Sequence, residues 1–170
     1  MKYAVVDIET TGGSAKSRGI TEIGIVVTDG TRELDRWSSL INPFEHIPPR
    51  IEALTGISNE MVEDAPGFED VADTVAEMLA DCVFVAHNVG FDYAFIRGHF
   101  EALGTSWSRP KLCTVRLSRK LLPNVGSFSL GSVCDRLGIS NAARHRAMGD
   151  AFATAQLFHH LWSLPHGPGT

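Results

Sequence analysis

Between residues 3 and 41, three runs rich in apolar and β-branched residues follow one another with little chain between them. They cover residues 3–8, 20–28 and 33–41, and Asp29-Gly30 supplies a turn between the second and the third. Parallel neighbours need a crossover of about a dozen residues or more, so strands joined this tightly are expected to pair antiparallel. After residue 41 the pattern changes. Phe68, Val71, Ala72, Val75, Ala76, Met78 and Leu79 recur at helical spacing with acids opposite. Residues 82–87 (CVFVAH) have the length and composition of a buried strand. Helices are expected over 91–103, closed by Gly104, over 112–121, over 130–137 between Ser129 and Gly138, and over 147–163. Hairpins first and strand–helix alternation later predict an α/β domain with a mixed sheet.

At 170 residues, 44% hydrophobic and 21% charged, the chain suits one domain. That domain is expected over residues 1–163, with 164–170 a Pro/Gly-rich tail or the start of a linker, as at a domain edge or a cut through a longer chain. No apolar run approaches the ~18 residues of a membrane span. The apolar stretch before Asp7 is too short for a signal peptide, which needs roughly 7–15. Cys82, Cys113 and Cys134 are odd in number, far apart and without a CxxC pair. They read as reduced core thiols of a cytoplasmic protein.

Charge is unevenly spread. Residues 42–81 hold ten acids against one base, Arg50, whereas from Arg97 onward nine Lys/Arg face three acids. The densest part is Arg109, Lys111, Arg116, Arg119 and Lys120, with no acid from 102 to 134. A net charge of −5 disfavours indiscriminate coating of duplex DNA. The basic run reads either as a solvated helix face or as a flank that guides a phosphate chain.

Four carboxylates sit at element ends beside apolar residues. Asp7 and Glu9 flank Ile8 at the end of the first strand, so both leave the same face. A D-x-E pair also describes two solvated residues on an edge strand. Here Val5 and Val6 precede it and Thr10-Thr11-Gly12-Gly13 follows as a turn, and carboxylates at the mouth of a buried strand are costly unless a cation such as a metal compensates them. Asp92 follows His87-Asn88-Val89-Gly90-Phe91 between a strand and a helix start, and Asp150 opens the last helix. Either is compatible with the ordinary preference of acids for helix N-termini. His145 lies five residues before Asp150, on the loop leading into that helix.

Asp7-Ile8-Glu9-Thr10-Thr11-Gly12, His87-Asn88-x-x-Phe91-Asp92 and His145-x4-Asp150 together resemble the three motifs of the DnaQ-like 3′–5′ exonucleases. This is the DEDD superfamily in its His-bearing (DEDDh) subclass, which includes proofreading subunits of bacterial replicative polymerases and ribonuclease T. Position 146 is Arg, where the Tyr-bearing subclass has Tyr. The resemblance spans about residues 1–162. It implies a ribonuclease H-like fold, a five-stranded mixed sheet flanked by helices. It implies two Mg²⁺ or Mn²⁺ ions held by Asp7, Glu9, Asp92 and Asp150, with His145 as general base. Hard oxygen ligands suit such ions, and an ion pair can activate water and stabilise the leaving oxygen. It also implies substrate contacts from Thr10, Thr11, Gly12, Asn88 and Phe91, and from Thr55, where proofreading relatives often carry His. The activity expected is release of nucleoside 5′-monophosphates from single-stranded or frayed 3′ ends of DNA or RNA. The alternative is a nucleic-acid-binding or scaffold module whose site has decayed. Partners implied are the nucleic-acid 3′ end and a polymerase or further domain; a dedicated proofreading subunit is expected to carry a polymerase-binding tail, and seven residues follow Ser163.

Overall fold

The computed structural model describes residues 1–13, 19–123, 126–165 and 167–169. His166 and Thr170, both in the expected tail, lie outside them. β1 (Lys2–Thr10), β2 (Ile20–Thr28) and β3 (Glu33–Leu40) form the expected antiparallel set. Then come α1 (Pro49–Thr55), α2 (Asn59–Glu63), α3 (Phe68–Met78), β4 (Cys82–Ala86), α4 (Gly90–Ala102), β5 (Lys111–Cys113), α5 (Thr114–Leu121), α6 (Leu130–Leu137) and α7 (Ala147–Ser163). The sheet order is β3-β2-β1-β4-β5, with β4 parallel to both β1 and β5.

The helix expected over 112–121 is corrected by this topology. Residues Lys111–Cys113 extend alongside Phe84–Ala86 as a fifth strand, and the helix begins only at Thr114. Pairing with a neighbouring strand decides the conformation of so short a segment, whatever its own propensity. The helices at 130–137 and 147–163 have the expected bounds. Ser129 caps α6 by accepting from the Ser132 N–H, and Gly138 ends it at φ 67°. All three cysteines are free, but Cys113 is only half-buried at the end of β5, so the expected core location holds for Cys82 and Cys134.

Alternation along β1 sorts the core into two layers. Ala4, Val6 and Ile8 pack with α3 (Phe68, Val75), its C-cap Leu79, and α4 (Phe95, Ile96, Phe100). Tyr3 and Val5 point the other way, against Ala151, Ala155 and Phe158 of α7. Each large apolar side chain fully buried this way contributes about 1.5–3 kcal/mol. By the same alternation Asp7 and Glu9 emerge on the α7 side. The three parallel strands β1, β4 and β5 all end at this edge of the sheet, which is where α4 and α5 begin.

α7 comes very close to the sheet there. Gly24 pairs with Asp7 in the β1/β2 register, and a Cβ on it would meet the Ala147 carbonyl and the Met148 nitrogen at 2.6 Å. Backbone cannot yield as a flexible side chain can. Gly24→Ala is therefore expected to lift the start of α7 and lower stability by about 1–3 kcal/mol. Urea unfolding of the two proteins checks this, the expected result being a lower midpoint with unchanged slope.

Candidate active site

Each acid reaches the edge by its own route. β1 ends in Asp7 and Glu9, both half-buried. Asp92 stands in the first turn of α4, is 5% exposed, and its Oδ1 accepts from the Ile8 N–H at 3.2 Å. That bond ties the start of α4 to β1 between the two acids of the D-x-E pair. Asp150 lies in the first turn of α7, where Oδ1 accepts from the Asn141 side-chain amide (3.1 Å) and Oδ2 from the His145 N–H (2.9 Å).

His145 sits before α7 with φ 58°, a left-handed conformation uncommon for a residue bearing Cβ. Its ring faces the acids: one ligand atom each from Glu9, His145 and Asp150 lie within 4.8 Å of one another. Only donors of oxygen and imidazole nitrogen meet there, a set that suits a divalent cation.

The electrostatics agree. Burial, then the charges of Asp92, Asp150, Glu9 and Glu22, pushes the Asp7 carboxyl well above the ordinary range. Glu9 is pushed up to about 8 by burial and by Asp150, Glu22 and Asp92, with Arg146 opposing. Burial pushes Asp92 to about 7, against hydrogen bonds from backbone N–H groups. Ionising these carboxylates together is costly, and a nearby cation would offset that cost.

Beside them is a cleft of about 290 Å³ whose lining includes Glu9, Thr10, Gly12, Thr55 and Phe91. Thr55 also fulfils a local role, its hydroxyl donating to the Ile51 carbonyl and accepting from the Ile57 N–H. Phe91 packs against Phe95 yet remains 36% exposed. Thr11 is buried and donates to Glu45. Asn88 is exposed at the end of β4 with φ 75°. His87 bonds to Thr114 and to the Phe128 carbonyl, joining β4 to α5 and to the loop before α6.

Sequence reasoning missed Glu22, Gly24, Asn141 and the cleft residues Arg50 and Leu54. Glu22 did carry a signal, as the lone acid in the buried run ITEIGIVVT. Asn141 and the cleft residues had none, because only tertiary folding brings them to the edge.

A family model described as exonuclease (RNase_T) matches residues 4–158. The chain is 38% identical over 157 residues to the DNA polymerase III PolC-type of Thermotoga maritima, covering 92% of this chain and 11% of that protein. It is 39% identical over 157 residues to the 3′-5′ exonuclease DinG of Staphylococcus aureus, covering 91% and 17%. Across the first relatives the chain spans between 11% and 26% of their length. Exonuclease X, solved with 5′ overhanging duplex DNA, superimposes with a TM-score of 0.73 at 27% identity over 93% of this chain and 89% of that one. Escherichia coli Exonuclease I, solved with a dT13 oligonucleotide, gives 0.85 at 18% identity over 96% and 41%. The five-stranded mixed sheet with flanking helices is thus ribonuclease H-like.

The raised carboxylates set a pH dependence. A carboxyl whose folded pKa exceeds its unfolded one costs nothing below the unfolded value and its full penalty above the folded value. For Glu9 that window runs from the ordinary 4.5 to about 8. In chelator the unfolding temperature should fall as pH rises through this window, and Glu9→Gln should flatten the fall. Adding Mg²⁺ at pH 8 should restore the loss, as thermal scans in matched buffers would report.

Proposed function

Because the chain belongs to the exonuclease family, we propose that it is a metal-dependent 3′–5′ exonuclease that releases nucleoside 5′-monophosphates from single-stranded or frayed DNA ends. The observation that carries this reading is the convergence of Glu9, His145 and Asp150 within 4.8 Å, beside a cleft lined by Thr10, Gly12, Thr55 and Phe91. Asp7, Glu9, Asp92 and Asp150 would hold two divalent cations, Mg²⁺ or Mn²⁺. Bound there, such ions neutralise the site, make water nucleophilic and stabilise the leaving 3′ oxygen.

The chain's own groups do the rest. Glu9 and Thr10 line the cleft that takes the terminal nucleotide, and the exposed face of Phe91 offers its sugar or base an apolar contact. Gly12, next in sequence to Thr11, and Thr55 line the same cleft, and Asn88 stands three residues before Phe91. Holding one end beside the acids favours termini already unpaired, since opening each base-pair step costs about 1.4 kcal/mol. His145 accepts the proton of the attacking water at a ring nitrogen, while its backbone N–H, bonded to Asp150, keeps the ring beside the site. The DNA polymerase III relative and Exonuclease X, solved with duplex DNA, support DNA as substrate. The greater length of the curated relatives supports a longer polypeptide or polymerase as company.

EDTA should abolish digestion of a labelled oligodeoxynucleotide, and Mg²⁺ or Mn²⁺ should restore it. A 3′-phosphate should block the reaction and a 5′ block should not. Cleavage of a closed single-stranded circle would mark an endonuclease instead, and faster digestion of the matched RNA would reassign the substrate. His145→Ala should lower turnover about 10²–10⁴-fold. Metal affinity, measured by calorimetry, should stay unchanged in that variant; its loss would make His145 a ligand rather than the base.

A further inference from the structure

Among the described residues, one acid at this edge has a charged partner. Glu22 is 5% exposed on β2, opposite Glu9 in register and two residues from Gly24, so it faces α7. Its carboxylate accepts from Arg146 Nη2 at 2.7 Å and Nε at 3.0 Å, and from the Ala147 N–H at 2.8 Å. Three donors from two consecutive residues therefore end on one carboxylate. Those residues come directly after His145.

We propose that Glu22 is a positioning residue, which grips Arg146 and Ala147 so that the loop before α7 holds His145 beside Glu9 and Asp150. This rests on the exonuclease reading above.

The geometry supports a clamp with two ends. From the helix side Asp150 accepts from the His145 N–H, and from the sheet side Glu22 accepts from Ala147 and Arg146. The segment between them carries His145 at φ 58°, a conformation that persists when its surroundings over-determine it. Bidentate arginine–carboxylate pairing fixes direction as well as distance. Glu22 also differs from the neighbouring acids in that its charge is already compensated by Arg146. Gly24 and Glu22 thus act as a pair two residues apart: the glycine admits the start of α7 to the sheet, and the acid holds it there.

The test combines an exchange measurement with a kinetic cycle. Glu22→Gln keeps the shape but leaves one acceptor oxygen where three donors converge. Amide hydrogen exchange at His145 and Ala147 should speed up about tenfold or more, reflecting easier local opening, with the core strands unchanged. On an oligodeoxynucleotide with Mg²⁺, kcat should fall about 10–100-fold, as expected for a misplaced catalytic group, with KM and metal affinity within about twofold of wild type. In the His145→Ala background the same substitution should cost less than about twofold more, because its effect runs through the ring already removed. An equal loss in both backgrounds, unchanged exchange at both amides, or weakened metal binding would each overturn the assignment. Arg146→Gln breaks the same pair from its more exposed end; should Glu22→Gln not fold, it carries the same readouts. If the wild type digests no nucleic acid, the exonuclease reading fails, while the exchange measurement still decides the clamp.

Discussion

Negative charge gathered at one edge of the sheet governs the rest of the structure. Asp7, Glu9, Asp92, Asp150 and Glu22 converge from two strands and two helices, and carboxylates a few ångströms apart repel by a few kcal/mol per pair even at an effective dielectric near 20. The fold answers this unequally. Glu22 receives an arginine, whereas Asp92 and Asp150 receive neutral donors from Ile8, Asn141 and His145. Neutral donors orient a carboxylate without cancelling its charge. What remains is an excess that protons relieve in part and that a divalent cation relieves more completely. The same cancellation lets a polyanion approach a chain of net charge −5.

Assembling those charges is a packing problem before it is an electrostatic one. Strand alternation sends Asp7 and Glu9 to the α7 side, so Asp150 can join them only if α7 starts almost on the sheet. Gly24 makes room, and Ala147, Ala151 and Ala155 keep the helix face narrow where it lies on the strands. Asp92 arrives from the opposite layer, and its bond to the Ile8 N–H draws the start of α4 over the end of β1. Two helices on opposite faces thus meet above one strand end.

Much of this was legible in the sequence, for reasons that differ by residue. Ser129 and Gly138 bound α6 because caps are local chemistry, and the tight connections of the first three strands left one pairing sense. The motif acids were legible because each stands against apolar neighbours. β5 was not, since its three residues become a strand only through pairing with Phe84–Ala86. α1 and α2 were not assigned either. Pro49 at the start of α1 and Gly56 at φ 71° after it were local signs of the first. The cleft and the Glu22–Arg146 pair join residues up to 124 positions apart, and hydrophobic periodicity carries no information on such partners.

The outermost strands have a bearing on the company this domain can keep. A sheet's two flanks expose unpaired backbone groups, and a long, flat, uncharged flank is a template for strands of other molecules. Here β5 offers a rung of only three residues, and β3 displays Glu33, Asp35 and Arg36, with Asp35 and Arg36 well exposed. A neighbouring chain laid against either side finds too short a ladder or a charged one. Self-templated stacking is thereby discouraged at both margins.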